Sequence, residues 1–182
     1  MKYDVVIIGG GPAGVTAGIR LLREGRRCLI VSEGLSRYET DKPTFRRLGG
    51  VFLPGDSVIS GEWDNRRLVS VHTRKLEWEA IEADAFILAT GRFFSRGLRS
   101  TMTRVYEPVF GCDVEFDPDR SRWADPDFFK PQPFESFGVV TDRRGRVLFG
   151  GVPADNIYAI GSILAGQQDM DESIDRVCKS LK

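Results

Sequence analysis

Apolar residues gather into short unbroken runs separated by polar, glycine-rich or proline-rich stretches. Val5–Ile8 is β-branched throughout, the pattern of a strand buried on both faces. Cys28–Glu33 and Ala85–Ala89 repeat that pattern, and Asn156–Ser162 is a further run that ends on a glycine and a serine. After the first run, Ala13, Ala17, Ile19, Leu21 and Leu22 alternate with Arg20, Arg23 and Glu24, which predicts an amphipathic helix closed by Gly25. Met170, Ile174, Val177, Cys178 and Leu181 fall on one face of a second helix near the C-terminus. Between these lie alternating runs at Ser57–Trp63, Leu68–Thr73 and Leu76–Glu82, the first two joined by a turn at Asp64-Asn65, which predict a small antiparallel meander. A polar connector covers Gly34–Phe45, and a short helical piece is expected around Phe45–Leu48.

The joint between the first strand and the first helix carries Gly9, Gly11 and Gly14 at G-x-G-x-x-G spacing, with Pro12 at the expected first helical position and Ala13 beside it. In that context each glycine has a task. Gly9 makes the tight turn, Gly11 lets a diphosphate approach the backbone, and Gly14 lets helix and sheet pack closely. The helix start then offers unpaired N–H groups and a partial positive charge. A dinucleotide site is therefore expected here. An acidic residue at the end of the second strand binds adenosine ribose hydroxyls in such folds; that slot falls on Ser32 or Glu33, with a solvated strand-end charge the plain alternative for Glu33.

The fold expected is α/β: a Rossmann-like FAD/NAD(P)-binding domain with a central parallel sheet, a single domain over residues 1–182. Its core comes from 1–36, 84–92 and 156–182, with a β-meander at 50–83 and an irregular insert at 93–137. The insert holds Pro108, Pro118, Pro126, Pro131 and Pro133 and ten aromatic residues, among them Phe93, Phe94, Trp123, Phe128, Phe129 and Phe134. It reads either as a satellite core or as a lid or partner surface.

Charge removes some classes of function. There are 26 Lys plus Arg against 26 Asp plus Glu, so nothing electrostatic favours nucleic acid or anionic lipid. No apolar run approaches the roughly 20 residues that span a bilayer, and the N-terminal apolar run is short and committed to the first strand. A cytoplasmic protein is expected. Cys28, Cys112 and Cys178 are scattered and offer no zinc or iron–sulfur frame, so no metal site is expected. Cys28 reads as a small core residue, and His72, alternating with Val69 and Val71, as solvent-facing.

The glycine turn, a G-x7-V stretch from Gly50 to Val58, a strand ending ILATG and a final strand ending AIGS recur in one order. This arrangement resembles the two-dinucleotide-binding-domain flavoproteins. The resemblance implies cofactor contacts at Val58 near the adenine, Thr90 and Gly91 near the cofactor's middle, and Gly161 and Ser162 at the ribityl chain and diphosphate. Ser162 stands where many members carry an aspartate, so its hydrogen bond would lack charge assistance.

FRRLGGVFLPGDSV, ILATGRFFSRGL, YEPVFGCDV, FFKPQPFESFGVVTD and IYAIGSILAG are similar to the B-subunit family of bacterial anaerobic glycerol-3-phosphate dehydrogenases. That resemblance implies oxidation of sn-glycerol 3-phosphate to dihydroxyacetone phosphate, with electrons passed towards quinone. It implies two partners, a larger flavoprotein subunit and an iron–sulfur subunit that anchors the complex at the inner face of the membrane. Family members are considerably longer, and Arg37–Pro43 bridges the place where their middle domain lies. The glycine-rich start of the family's last helix is replaced by GQQDMDES after Gly166.

The family assignment says FMN, whereas a glycine turn built for a diphosphate points to FAD, which is the cofactor expected here. No catalytic base stands out. Asp113, Glu107 and Arg92 are the nearest candidates, each with a structural alternative, and Arg92, Arg96, Arg99 and Arg104 cluster after the ATG segment where a phosphate or partner could be met. Two other functions stay open: a non-catalytic assembly module, and a stand-alone FAD/NAD(P)-dependent oxidoreductase.

Overall fold

A computed structural model describes residues 2–34 and 41–182. The polar connector therefore lies partly outside the described residues, as do the 36 boundary of the core and most of the Arg37–Pro43 bridge.

β1 (Lys2–Ile8) leads through the glycine turn into α1 (Pro12–Arg23), and β2 (Cys28–Ser32) follows. α2 (Lys42–Arg47) starts earlier than its sequence pattern suggests, because Pro43 can occupy its first turn without losing a needed N–H. Next come β3 (Val51–Pro54), β4 (Val58–Asp64), β5 (Arg67–Thr73) and β6 (Ile81–Leu88). Short strands β7 (Arg99–Ser100), β8 (Val105–Tyr106), β9 (Val114–Glu115) and β10 (Gly138–Val139) punctuate the insert and its exit. β11 (Arg146–Phe149), β12 (Val152–Ala159) and α3 (Met170–Ser180) complete the chain.

The main sheet runs β11-β12-β6-β1-β2-β3. β12, β6, β1, β2 and β3 are mutually parallel, and β11 closes one edge antiparallel. Alternate residues of β1 feed two cores. Val5 and Ile7 face a layer with Val15, Leu21, Phe45, Ile174 and Val177 from the helices. Val6 and Ile8 face a layer with Leu68 and Val71 of the meander and Leu98, Val105, Phe137 and Val139 of the insert and its exit. This is why β1 reads as an unbroken apolar run: both its faces are covered.

Two expectations about the 50–83 region are corrected. β3 is not part of a meander; it pairs parallel with β2 as the other edge of the main sheet, and Pro54 is tolerated there because an edge strand needs no donor on its open side. The third meander strand does not form over Leu76–Glu82. Residues 76–80 are a turn with Trp78 at the surface, and β6 starts at Ile81. The first residues of β6, Ile81 and Glu82, pair antiparallel with β5, and from Glu82 to Leu88 the strand pairs parallel with β1, so one strand does both jobs.

The insert divides. Phe116, Trp123 and Phe137 form a cluster of edge-to-face pairs, and Phe93 meets Phe134 in the same way, so these are core. Phe94, Phe128 and Phe129 are exposed. His72 is half-buried rather than solvent-facing: its Nε2 lies 2.9 Å from Glu62 Oε1, and Glu62 also accepts from Ser70 at 2.7 Å. All three cysteines are free and buried.

Candidate functional site

The carboxyl ends of parallel strands β2, β1 and β6 open onto one cleft of about 700 Å³. Gly9 has φ +114°, and any side chain there would collide with the Ala89 carbonyl at the end of β6. Its N–H donates to Val31 O at 2.8 Å, so the turn is pinned between the two neighbouring strand ends. Gly11 is the N-cap of α1, has no side-chain cap, and faces open space: a methyl group there would touch nothing within 4 Å. The helix ladder begins with Val15 N donating to Gly11 O at 3.0 Å, which leaves the first-turn amides of Ala13 and Gly14 directed out of the helix end.

Every sequence-predicted site residue but one lines this cleft: Gly9, Gly11, Pro12, Ala13, Ser32, Glu33, Val58, Thr90, Gly91, Gly161 and Ser162. Gly14 is buried behind it, packed against the Gly9 carbonyl and Ile7, which is the packing role its position in the motif implies. Ser32 is buried, and its hydroxyl donates to Gly34 O at 3.2 Å. Glu33 is exposed, and its Oε1 lies 3.2 Å from Arg96 Nη1 and 3.9 Å from Arg74 Nη2. The Thr90 hydroxyl is buried with no partner among the described residues, as is that of Ser57, which also lines the cleft. Two orphaned hydroxyls in one groove fit a polar ligand that supplies their partners.

The end of β12 is less open. Gly161 lies against Ala13, and its N–H donates to the buried Ser173 hydroxyl at 3.0 Å. Asp169 caps α3 by accepting the Glu172 amide at 2.9 Å, and Asp171 and Glu172 occupy the first turn. Arg20 of α1 pairs with Asp171 and Asp175. The start of this helix is thus already capped by its own Asp169 and carries two acidic residues, so it is less suited to an anion than the uncapped start of α1.

Sequence patterns missed several cleft residues. Asp56 is buried, accepts the amides of Ser57 at 2.8 Å and Lys75 at 3.1 Å, and so folds the β3–β4 turn onto the cleft wall. Only the adjoining G-D-S turn pattern hinted at it. Pro108 and Val109 reach the cleft from the insert. Their loop is held by buried Glu107, whose carboxylate accepts from the amides of Val109, Phe110 and Gly111 at 2.9, 2.7 and 3.0 Å. Burial pushes the Glu107 carboxyl up, against the pull of those amides.

Beside the cleft, and sharing Ser95, Gly161, Ser162 and Gln168 with it, lies a second concavity of about 520 Å³ walled by Phe93, Phe94, Phe134, Glu135 and Gln167. Arg92 also borders it, with its Nη2 donating to Leu164 O at 3.1 Å and Gly166 O at 2.6 Å. Burial lowers its pKa, with Glu135 opposing. The three candidates for a base are all structurally engaged: Arg92 on carbonyls, Glu107 on amides, and Asp113 on the amides of Gly150 and Gly151 at 2.9 and 2.7 Å. Of the four arginines after the ATG segment, Arg96 and Arg99 line the cleft, and Arg104 stacks on Tyr106. Among the described residues no group of three metal-ligating side chains exists, and no helix is long and apolar enough to cross a membrane.

The sequence model of the FAD binding domain family matches residues 4–42 and 34–173. The chain is 37% identical over 139 residues to the B-subunit of anaerobic glycerol-3-phosphate dehydrogenase from Yersinia enterocolitica, covering 76% of this chain and 33% of that protein. It is 40% identical over 142 residues to the corresponding B-subunit of Vibrio vulnificus, covering 76% and 32%. It thus spans about a third of the length of these curated relatives. Among solved structures it is similar in fold to a thioredoxin reductase from Gloeobacter violaceus (12% identity, TM-score 0.57, 99% of this chain and 93% of that one). An oxidoreductase from Agrobacterium tumefaciens gives 14% identity, TM-score 0.58, and 99% and 96% coverage.

Proposed function

The chain belongs to the FAD binding domain family, and from that premise we propose that it binds FAD as the B-subunit component of an anaerobic glycerol-3-phosphate dehydrogenase. The reaction is oxidation of sn-glycerol 3-phosphate to dihydroxyacetone phosphate, with electrons passing towards quinone. The partners are a larger flavoprotein subunit and an iron–sulfur subunit that holds the assembly at the inner face of the membrane.

One observation carries the cofactor assignment: residues from both ends and the middle of the chain meet in one cleft around a helix start whose N-cap, Gly11, faces open space. The Ala13 and Gly14 amides suit the diphosphate, and Ser32 and Glu33 lie where adenosine ribose hydroxyls are bound in such folds. Val58 closes the adenosine side. Thr90 and Ser162 offer hydroxyls to the ribityl chain. Because Asp169 caps the α3 start, α1 is the helix that serves the phosphates. FAD, when bound, supplies the acceptor for the electrons of the oxidised alcohol. This chain's residues bind and orient it, and partly shelter it beneath the insert loop held by Glu107.

The engagement of Arg92, Glu107 and Asp113 favours a second reading in which the chain is an assembly module without chemistry of its own. Releasing the cofactor from purified protein and weighing it tests both. FAD is the expected product. FMN would overturn the diphosphate reading, and colourless protein that resists reconstitution with FAD would leave the assembly module.

A further inference from the structure

Arg96 combines two features that the cofactor fold does not require. Its backbone sits in the left-handed region at φ 63°, where glycine or asparagine is at ease and a long side chain is strained. Its guanidinium reaches Glu33 at 3.2 Å, its one side-chain partner among the described residues.

The sheet order shows what this ion pair crosses. Glu33 follows β2 and Arg96 lies in the turn after β6, while β1 runs between those two strands. Gly9 packs against the end of β6 and Gly10 against Ser32 at the end of β2. The pair joins the two walls across the exit of β1, above the glycine turn. The turn that presents Arg96 is firm: Arg96 N donates to Phe93 O at 3.1 Å, Gly97 N donates to Arg92 O at 3.0 Å, and Gly97 sits directly on Gly91.

Resting on the dinucleotide reading above, we infer that Arg96 is a clamp on the diphosphate, tied to the ribose-binding carboxylate Glu33 across the cleft. A guanidinium has five donors in a planar fork, so one edge can keep Glu33 while the other takes a phosphate oxygen. Arg74, 3.9 Å from the same Glu33 oxygen, gives that carboxylate a second cation while Arg96 is shared between it and the phosphate. The three side chains together leave one positive charge facing the anion. As a surface ion pair alone it would contribute little; its value lies in placement.

Titrating the flavin-free chain with FAD at low and high salt, for wild type, Arg96→Ala and Arg96→Gly, tests the clamp. Both variants should bind FAD at least about ten-fold more weakly, as expected for loss of a charge-assisted bond, and with a flatter salt dependence. Arg96→Gly suits the left-handed backbone, so it should keep or raise the melting temperature, which separates binding from folding. Wild-type affinity and salt dependence in Arg96→Gly would overturn the clamp while leaving the FAD site standing. A wild-type chain that binds no FAD would overturn the underlying reading, and the clamp with it.

Discussion

The side-chain amide of Asn156 pairs in both directions with the backbone of Leu68: its Oδ1 accepts the Leu68 N–H at 2.9 Å, and its Nδ2 donates to the Leu68 carbonyl at 2.8 Å. The same Nδ2 donates to Asp84 O at 2.9 Å. Asn156 is 3% exposed on β12, so one buried side chain stitches β5 of the meander to β6 and β12 of the main sheet. Asn156→Leu leaves buried backbone groups without partners, and chemical denaturation should show a loss of about 2–4 kcal/mol. A loss below about 0.5 kcal/mol would show that water replaces the amide there.

Gly11 and Gly14 make opposite predictions although they belong to one motif. Gly11→Ala has room and an extended backbone, with φ −77° and ψ −178°, so stability should change by about 1 kcal/mol or less. Its methyl group projects into the space proposed for the diphosphate, so FAD affinity should fall sharply. Gly14→Ala drives a methyl into the Gly9 carbonyl, so it should destabilise the fold by about 1–3 kcal/mol before any ligand is added. Thermal melts and flavin titrations of the two variants check the contrast, and the reverse ranking would contradict it.

Burial raises the Cys28 thiol to about 12 and the Cys178 thiol to about 11, and burial also raises Cys112. The thiolate is the reactive form. At pH 8 a disulfide reagent should therefore label none of the three rapidly in the native protein and all three after denaturation. Rapid labelling of one thiol in the folded state would mean that its part of the core opens locally.

Asp142 gives the stability a defined acid limb. Burial alone would raise its carboxyl, but the Arg146 amide and guanidinium and the Arg144 amide outweigh it and hold the pKa below the ordinary value. A carboxyl lowered on folding adds stability that is present above its unfolded pKa, near about pH 4, and is lost as pH falls through the folded value. Asp142→Asn should therefore be less stable than wild type at pH 7, with the difference shrinking below about pH 4. Denaturant midpoints taken from about pH 2 to about pH 7 would show whether the two curves converge.

The cleft was largely legible in the letters because its core is local. Gly9, Gly11, Pro12 and Gly14 lie within six residues, and their chemistry follows from strand, turn and helix in succession. The edge of the sheet was not. Val51–Pro54 is too short to announce its partner; its pairing with β2 is visible only in space, where Phe45 of α2 packs against Gly50, just before β3, and against Gly18 of α1. Ile81–Leu88 reads as two strands because its first half alternates and its second half does not; in space these are one strand with antiparallel β5 along its first residues.

Short-range periodicity and backbone conformation suffice for the dinucleotide-type turn, the core strands of the central sheet, and α1 and α3 among the three helices on one of its faces. Tertiary structure decided which distant groups face one another. Glu33 meets Arg96 and Arg74, Asp113 and Glu107 are absorbed by backbone amides, and Asp169 caps the start of α3. Those outcomes depend on how strand ends far apart in the chain are brought together, and a carboxylate or guanidinium carries no mark of its partner until packing has placed it.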